Sequence, residues 1–488
     1  MKSGLDSECT GFEAQKEHGV PDSELKVGIS AFGSHMLGVG TLIGSLAWLI
    51  HGTLLERAGA LPCVVAWVLG AVIMLPLALV IAELASIYPA AGGPYVYKLE
   101  AFKKIFPHKD ASLLGFLSGW LYWIAMMTGL AFMINGLSDL VSKWFLAGDS
   151  DSWIAFSVSM AMVVLATLIN QARVQVGSSI INSLTLFKFF MAFAFCALVF
   201  FSDSASFNNL LVNTATFEGS SFWGDVSKIL LLTMVAYSGL EVVSCTSSET
   251  DGAERSVPAA VIKTLVSVAV IYIFLSVAVS ASMVFAGAGA SSLKAADATC
   301  PNVLASLYGN VAGKVMGAGV ILSIFACSVG AVMSNARISY SMAKNKVFPA
   351  IFAYVHPVTG VPAYSLWIQL LFVLVLAFGS RLASVTGLTG NAYAFMGEVY
   401  GVLYSFLAAM YGVSLIILRY KAPELDRPFR IGKQGNGLAI FVSAVVLLIF
   451  SYLCLFCAHW THQLTGVALL LAGIPIYKLS CRTAGQDR

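Results

Sequence analysis

Two stretches decide the fold: GVGTLIGSLAW (Gly38 to Trp48) and VAYSGLEVVS (Val235 to Ser244). Each lies in the middle of a long apolar run and carries glycine where a continuous helix would want a better helix former. Gly44 and Gly239 interrupt these runs, and polar Tyr237 and Ser238 stand beside the second. Unwound backbone at membrane depth is tolerated only where it lines a cavity, because its N–H and C=O groups would otherwise lack partners. A break of this kind has its own chemistry. The half-helix that starts after it points free N–H groups and its positive end at an anion, and the half that stops before it leaves carbonyls for a cation. An α-amino acid carries both groups. The bland reading, that Gly40 and Gly44 form a helix-packing motif at four-residue spacing, competes for the first stretch. The second break, in a matching position, weighs against it.

Working outward, the chain shows twelve apolar stretches long enough to span a bilayer. They run over 28–51, 61–86, 112–140, 153–170, 177–202, 222–247, 259–286, 313–342, 363–380, 395–418, 437–458 and 463–479. Gly44 falls in the first and Gly239 in the sixth. Each therefore opens a group of five spans, and since five is odd the two groups are inverted with respect to each other. The expected organisation is a polar tail (1–26), a first repeat (27–202), a second repeat (222–419), two further spans (437–479) and a short tail (480–488). Composition agrees: of 488 residues, 58% are hydrophobic and 11% charged, well below the proportion of charge in a soluble domain. The net charge of +3 gives no basic excess for nucleic acid. Nine cysteines fall mostly in apolar runs with no metal-ligand spacing, so neither zinc nor a disulfide framework is expected.

Orientation follows from Lys and Arg, which concentrate in cytoplasmic connections. With the N-terminus inside, 21 basic residues fall in cytoplasmic segments and only Arg57, Lys143, Lys294, Lys314 and Arg381 outside; Lys188 and Lys228 lie within spans. Both termini are expected in the cytoplasm, in a bacterial inner membrane or plasma membrane.

Four further stretches carry a resemblance. AELASIYPAAGGPYVYKLEAF (Ala82 to Phe102) closes the second span, AYSGLEVV is followed by SSETDGAERSVPAAV, the eighth span gives SNARISYSMAKNKVFPAIFAYVHPVTGVP (Ser334 to Pro362), and RYKAPELDRPFRIG (Arg419 to Gly432) follows the tenth. In this order and spacing they resemble the amino acid-polyamine-organocation superfamily over residues 28 to about 430. The resemblance implies an all-α membrane protein of about twelve transmembrane helices, with a LeuT-like 5+5 inverted repeat plus two C-terminal helices, and alternating access around a midplane site. It implies substrate contacts at Ile43, Gly44, Ser45, Ala236, Tyr237, Ser238 and Gly239. The chain departs from the family at Leu46, where a third glycine is usual, and at Ala259, usually basic. Val235 stands where some exchangers of large cations carry an aromatic lid.

Lys188, in SLTLFKFFMAF of the fifth span, costs about 2.5–3.5 kcal/mol at mid-helix on an insertion scale. Proton-coupled members of the superfamily carry such a lysine where sodium-coupled relatives bind a cation. The resemblance therefore assigns Lys188 to proton coupling, its ammonium meeting carbonyls near Ile43 and hydroxyls of the eighth span such as Ser328. The competing reading is a lysine snorkelling to the interface. Glu241 is expected either to gate as a protonatable group or to sit neutral against freed backbone. Glu83 is read as an anchor for the Gly92-Gly93 turn, and Lys228 as reaching headgroups. Among Trp120, Tyr122, Trp123 and Tyr237, only Tyr237 is expected in the cavity.

The function these readings imply is secondary active transport of amino acids, neutral ones by preference, independent of sodium and proton-coupled, with the bilayer and protons as partners and no cofactor or metal. The competitors are an exchanger and a carrier of polyamines or cationic amines. A cationic substrate needs an acid in the cavity, and Glu241 is the available one unless Glu398 folds inward. An enzyme is not indicated, since no His-Glu-x-x-His or Gly-x-Ser-x-Gly motif is present. GNVAGK (Gly309 to Lys314) is one residue short of a phosphate loop and Val315 replaces its hydroxyl residue. His459 and His462 alone do not make a metal site, and no filter-like run marks a channel.

Overall fold

A computed structural model describes residues 25–146, 152–203, 205–215, 221–282, 297–389, 392–432, 435–457 and 460–486. The expected tail up to residue 24, Lys294 and His459 lie outside the described residues. Nineteen α-helices follow one another among the described residues: α1 (Ala31–Leu42), α2 (Ser45–Leu49), α3 (His51–Ala58), α4 (Ala60–Ile87), α5 (Gly93–Lys103), α6 (His108–Phe145), α7 (Trp153–Asn170), α8 (Val174–Phe200), α9 (Asn208–Ala215), α10 (Phe222–Ala236), α11 (Val242–Cys245), α12 (Ala253–Ser282), α13 (Cys300–Tyr308), α14 (Asn310–Lys344), α15 (Ala363–Val385), α16 (Ala392–Lys421), α17 (Gly437–Tyr452), α18 (Trp460–Leu471) and α19 (Gly473–Gln486). Ten of the helical segments are long and apolar enough to cross a bilayer by themselves. The protein is a multi-pass membrane protein. The first and sixth of the twelve expected spans are the two that fall short, because each is split: α1 from α2 at Ile43-Gly44, and α10 from α11 over Tyr237 to Glu241.

The last span also differs from expectation. Pro475 has no N–H to donate to the Leu471 carbonyl, and the helix is divided into α18 and α19. The second part runs to Gln486, so residues 480–486 continue the helix where a tail was expected. Helices α5, α9 and α13 lie in connections between the expected spans.

Burial sorts the spans into an inner and an outer set. Long helices α6, α14 and α16 are enclosed by protein on most sides, and α1 packs against α8, α12 and α14. Outward faces of α8, α12, α15 and α17 carry exposed Phe190, Phe193, Phe274, Leu371, Val375, Phe441 and Leu448. In water such a surface would aggregate; against acyl chains it is solvated. Close approach of α1 is set by small residues. A Cβ at Gly38 would overlap Thr264 of α12 and one at Gly40 would overlap Thr185 of α8, so of the pair Gly40 and Gly44 the packing reading describes Gly40, while Gly44 sits at the break.

On the side rich in Lys and Arg, the chain knots together. Gly28 and Ile29 N–H groups both donate to the Glu249 carbonyl at 2.9 Å, Asp251 N–H donates to Ile29 O, and Gly92 N–H to Cys245 O. Arg337 of α14 donates from Nε and Nη2 to the two Glu249 carboxylate oxygens, at 2.7 and 2.9 Å, with both side chains buried. A second buried pair joins Glu83 of α4 to Arg419 of α16 at 2.6 Å, and Glu83 also accepts from Ile431 N–H at 2.8 Å. Glu83 thus anchors the stretch after the tenth span rather than the Gly92-Gly93 turn, since an acid this deep needs a guanidinium partner.

Candidate functional site

Helix α1 ends because Gly44 is extended (φ −100°, ψ −150°), which leaves the α1 carbonyls without amide partners in the next turn. They find other donors. Lys188 Nζ of α8 donates to Gly40 O at 2.5 Å and to Ile43 O at 2.8 Å. Ser323 Oγ of α14 donates to Ile43 O at 3.1 Å, and Cys327 Sγ donates to Thr41 O. Ser328, the hydroxyl expected here, donates instead to Ile324 O one turn back in its own helix. The snorkelling alternative does not describe Lys188, which is fully buried with its ammonium against backbone.

Helix α10 ends at Ala236, and Gly239 then takes φ +101°, a conformation open to glycine and strained for other residues. Tyr272 of α12 joins the two breaks: its hydroxyl is 2.8 Å from Leu42 O and 3.1 Å from Ala236 O. No amide bonds between the two segments could do this, because each ends in an irregular turn.

Between the breaks lies a cavity. Gly44, Ser45, Ala236, Ser238 and Gly239 line it, as the sequence predicts, along with Met126, Leu130, Phe132 and Met133 of α6, Ala331 of α14 and Tyr400 of α16. No lining residue is charged. Ile43 and Tyr237 are not among the lining residues. The Ile43 carbonyl serves Lys188 and Ser323, and Tyr237 turns toward α4, where its hydroxyl donates to Trp67 O at 3.0 Å and its ring meets Trp67 edge-on. The cause is the tight turn at Ala236, which sends consecutive side chains to opposite sides, so Ser238 faces the cavity and Tyr237 the neighbouring helix.

Sequence reasoning missed the aromatic contribution of α16. Tyr400 OH and Ser238 Oγ are 2.9 Å apart, Tyr393 OH donates to Ser45 Oγ at 3.2 Å and its ring stacks on Phe132, and Tyr404 accepts from Gly239 N–H at 3.3 Å. The spacing Tyr393, Tyr400, Tyr404 puts all three on one helix face, and that periodicity was the available signal. Glu241 lies just outside the cavity. Its Oε2 accepts from Tyr404 OH at 3.2 Å. Trp120, Tyr122 and Trp123 pack elsewhere. Lys228 pairs with Asp225 at 2.7 Å rather than reaching freely for headgroups, Glu398 is paired with His462 at 2.9 Å with half its side chain exposed, and no group of three or more potential metal ligands occurs among the described residues.

A model of the amino acid permease family matches residues 28–469, nearly the whole of the broken-helix architecture just described. The chain belongs to the amino acid permease family. Among permeases and related carriers it is 26% identical to the serine/threonine exchanger SteT of Bacillus subtilis (strain 168), over 93% of this chain and 97% of that protein. It is 24% identical to the glutamate/serine transporter AimA of the same organism, over 92% of this chain and 80% of that one. Asc-type amino acid transporter 1 of Homo sapiens is 25% identical over 93% and 82%.

Proposed function

We propose that this chain is a secondary active transporter of neutral amino acids in a cell membrane, working by alternating access without sodium and coupled to protons, with both termini cytoplasmic. The observation that carries the reading is the uncharged cavity between two helix breaks. Amides at the start of α2 meet the substrate carboxylate, and no side chain caps them. The Leu42 carbonyl is taken by Gly44 N–H at 2.8 Å and by the Tyr272 hydroxyl, so the Ala236 carbonyl, which shares that one phenol proton, is the acceptor left with room for the substrate ammonium. Met126, Leu130, Phe132 and Met133 then receive an apolar or small side chain. A distal ammonium or carboxylate buried there would lack a countercharge, at a cost of several kcal/mol. Glu241 and Glu398, the acids a polyamine would need, are both outside the cavity.

Lys188 occupies the meeting point of α1, α8 and α14 as a fixed cation. In this reading its ammonium holds the α1 break closed in one state, and loss of its proton releases α1 for the opposite state. The names of the relatives support amino acid substrates, and that of SteT supports exchange as the second reading.

The test is uptake of each of the twenty radiolabelled amino acids and of putrescine into proteoliposomes, with an imposed pH gradient and no sodium. Accumulation of neutral amino acids under the gradient alone is expected. Transport only into substrate-loaded vesicles selects the exchanger, and uptake of putrescine alone overturns the neutral assignment.

A further inference from the structure

One cation counted among the cytoplasmic surface residues is not at the surface. Lys98, on the short helix α5, is 0% exposed, and its Nζ has no hydrogen-bond partner among the described residues. It stands 3.8 Å above the centroid of the Tyr411 ring of α16. A buried ammonium over an aromatic face is stabilised by far less than leaving water costs it. The missing compensation is close by. Glu241 is within electrostatic reach of Lys98, and its Oε1, like the hydroxyl of Tyr411, is buried without a partner among the described residues. Three buried polar atoms without a partner, on α5, α16 and the α10–α11 break, are more than packing explains.

We propose that Lys98 and Glu241 hold one proton between them and form a second ionisable station of the transport cycle, separate from Lys188, with Tyr404 linking it to the Gly239 break. Tyr404 donates to Glu241 and accepts from Gly239 N–H, so a substrate that displaces the Gly239 backbone also moves a hydrogen bond on the carboxylate. With one proton the pair is neutral overall, either as ammonium and carboxylate or, with the proton on Glu241, as amine and acid. Adding or removing a proton leaves a net charge buried in protein. That step belongs to the state in which water enters from the α5 side.

Burial pulls the Lys98 ammonium down to about 7, with the Glu241 carboxylate and then Cys245 pushing it back up. The other titratable groups around the pair are the phenols of Tyr97, Tyr122, Tyr404 and Tyr411. Tyr122 OH is 3.3 Å from the Cys245 thiol, and Arg337 beyond them is held by Glu249.

This inference rests on the transport reading, and its test separates the two. Efflux of the neutral amino acid that accumulates best is measured from proteoliposomes across the pH range around 7, for the wild type, Lys98→Arg, Lys98→Met, Glu241→Gln and the double variant Lys98→Met/Glu241→Gln. The wild-type rate is expected to titrate. Lys98→Arg keeps the cation but cannot release its proton, so its profile is expected to lose the Lys98 step and to keep only the dependence that Lys188 contributes. The double variant is expected to lose no more activity than the worse single one, as for two parts of one unit. Should Lys98→Met fail to fold, Lys98→Arg carries the test. A wild-type pH profile in Lys98→Arg, or losses that multiply in the double variant, overturns the station while leaving the transport reading intact. A wild type that transports nothing overturns that reading instead.

Discussion

At Gly239 the cavity depends on one backbone angle. A methyl group there would meet nothing closer than Leu42 Cδ1 at 3.5 Å, so Gly239→Ala isolates the cost of φ +101° from any clash. The expected loss is on the order of 1–3 kcal/mol of stability, with slower uptake; an unchanged melting temperature in detergent would show that the turn relaxes freely. Lys188 poses the complementary case of a side chain with no slack. Lys188→Ala is expected to abolish accumulation driven by a pH gradient while retaining binding of the substrate, measured as ligand-induced thermal stabilisation. Gradient-driven uptake that survives this substitution would remove Lys188 from coupling. Residues of this kind were legible in the sequence because a glycine in a helix and a lysine in a membrane each violate a local rule. Tyr237 was not, since the side of a turn on which a side chain emerges depends on φ and ψ, which composition does not encode.

Among the helices, the twelve spans were legible from length and apolarity, and the two breaks from glycine placement. Their mutual attachment was not. Tyr272 sits unremarkably in the apolar run of α12, and only the packed arrangement brings its hydroxyl to the ends of both α1 and α10. Tyr272→Phe removes the one phenol proton shared by the two breaks and leaves Ala236 O short of a partner, while Leu42 O keeps Gly44 N–H, which is expected to cost about 1–3 kcal/mol. The check is a lower melting temperature together with weaker substrate binding, because both breaks lose their common tie. The helix face of Tyr393, Tyr400 and Tyr404 was similarly hidden, as aromatic residues at helical spacing are usual in membrane helices whether or not they meet a ligand.

Over the molecule as a whole, buried ion pairs tie distant parts of the chain. Arg337→Met alone strands the Glu249 carboxylate and is expected to destabilise by about 3–5 kcal/mol, whereas Arg337→Met with Glu249→Leu recovers most of the loss. Equal melting temperatures for the single and double variants would refute a pairwise role. Arg419 has Glu83, Arg337 has Glu249, and the interior cations at these positions are balanced by acids. Lys188 differs: its ammonium meets only the uncharged carbonyls of Gly40 and Ile43. A unit charge that is not neutralised locally feels the membrane potential, at about 2.3 kcal/mol per 100 mV for a full crossing of the field. Under the coupling role proposed for Lys188, a proton that reaches it from one side and leaves to the other crosses that field, so an energised membrane is expected to bias the direction of turnover even when the pH is equal on both sides.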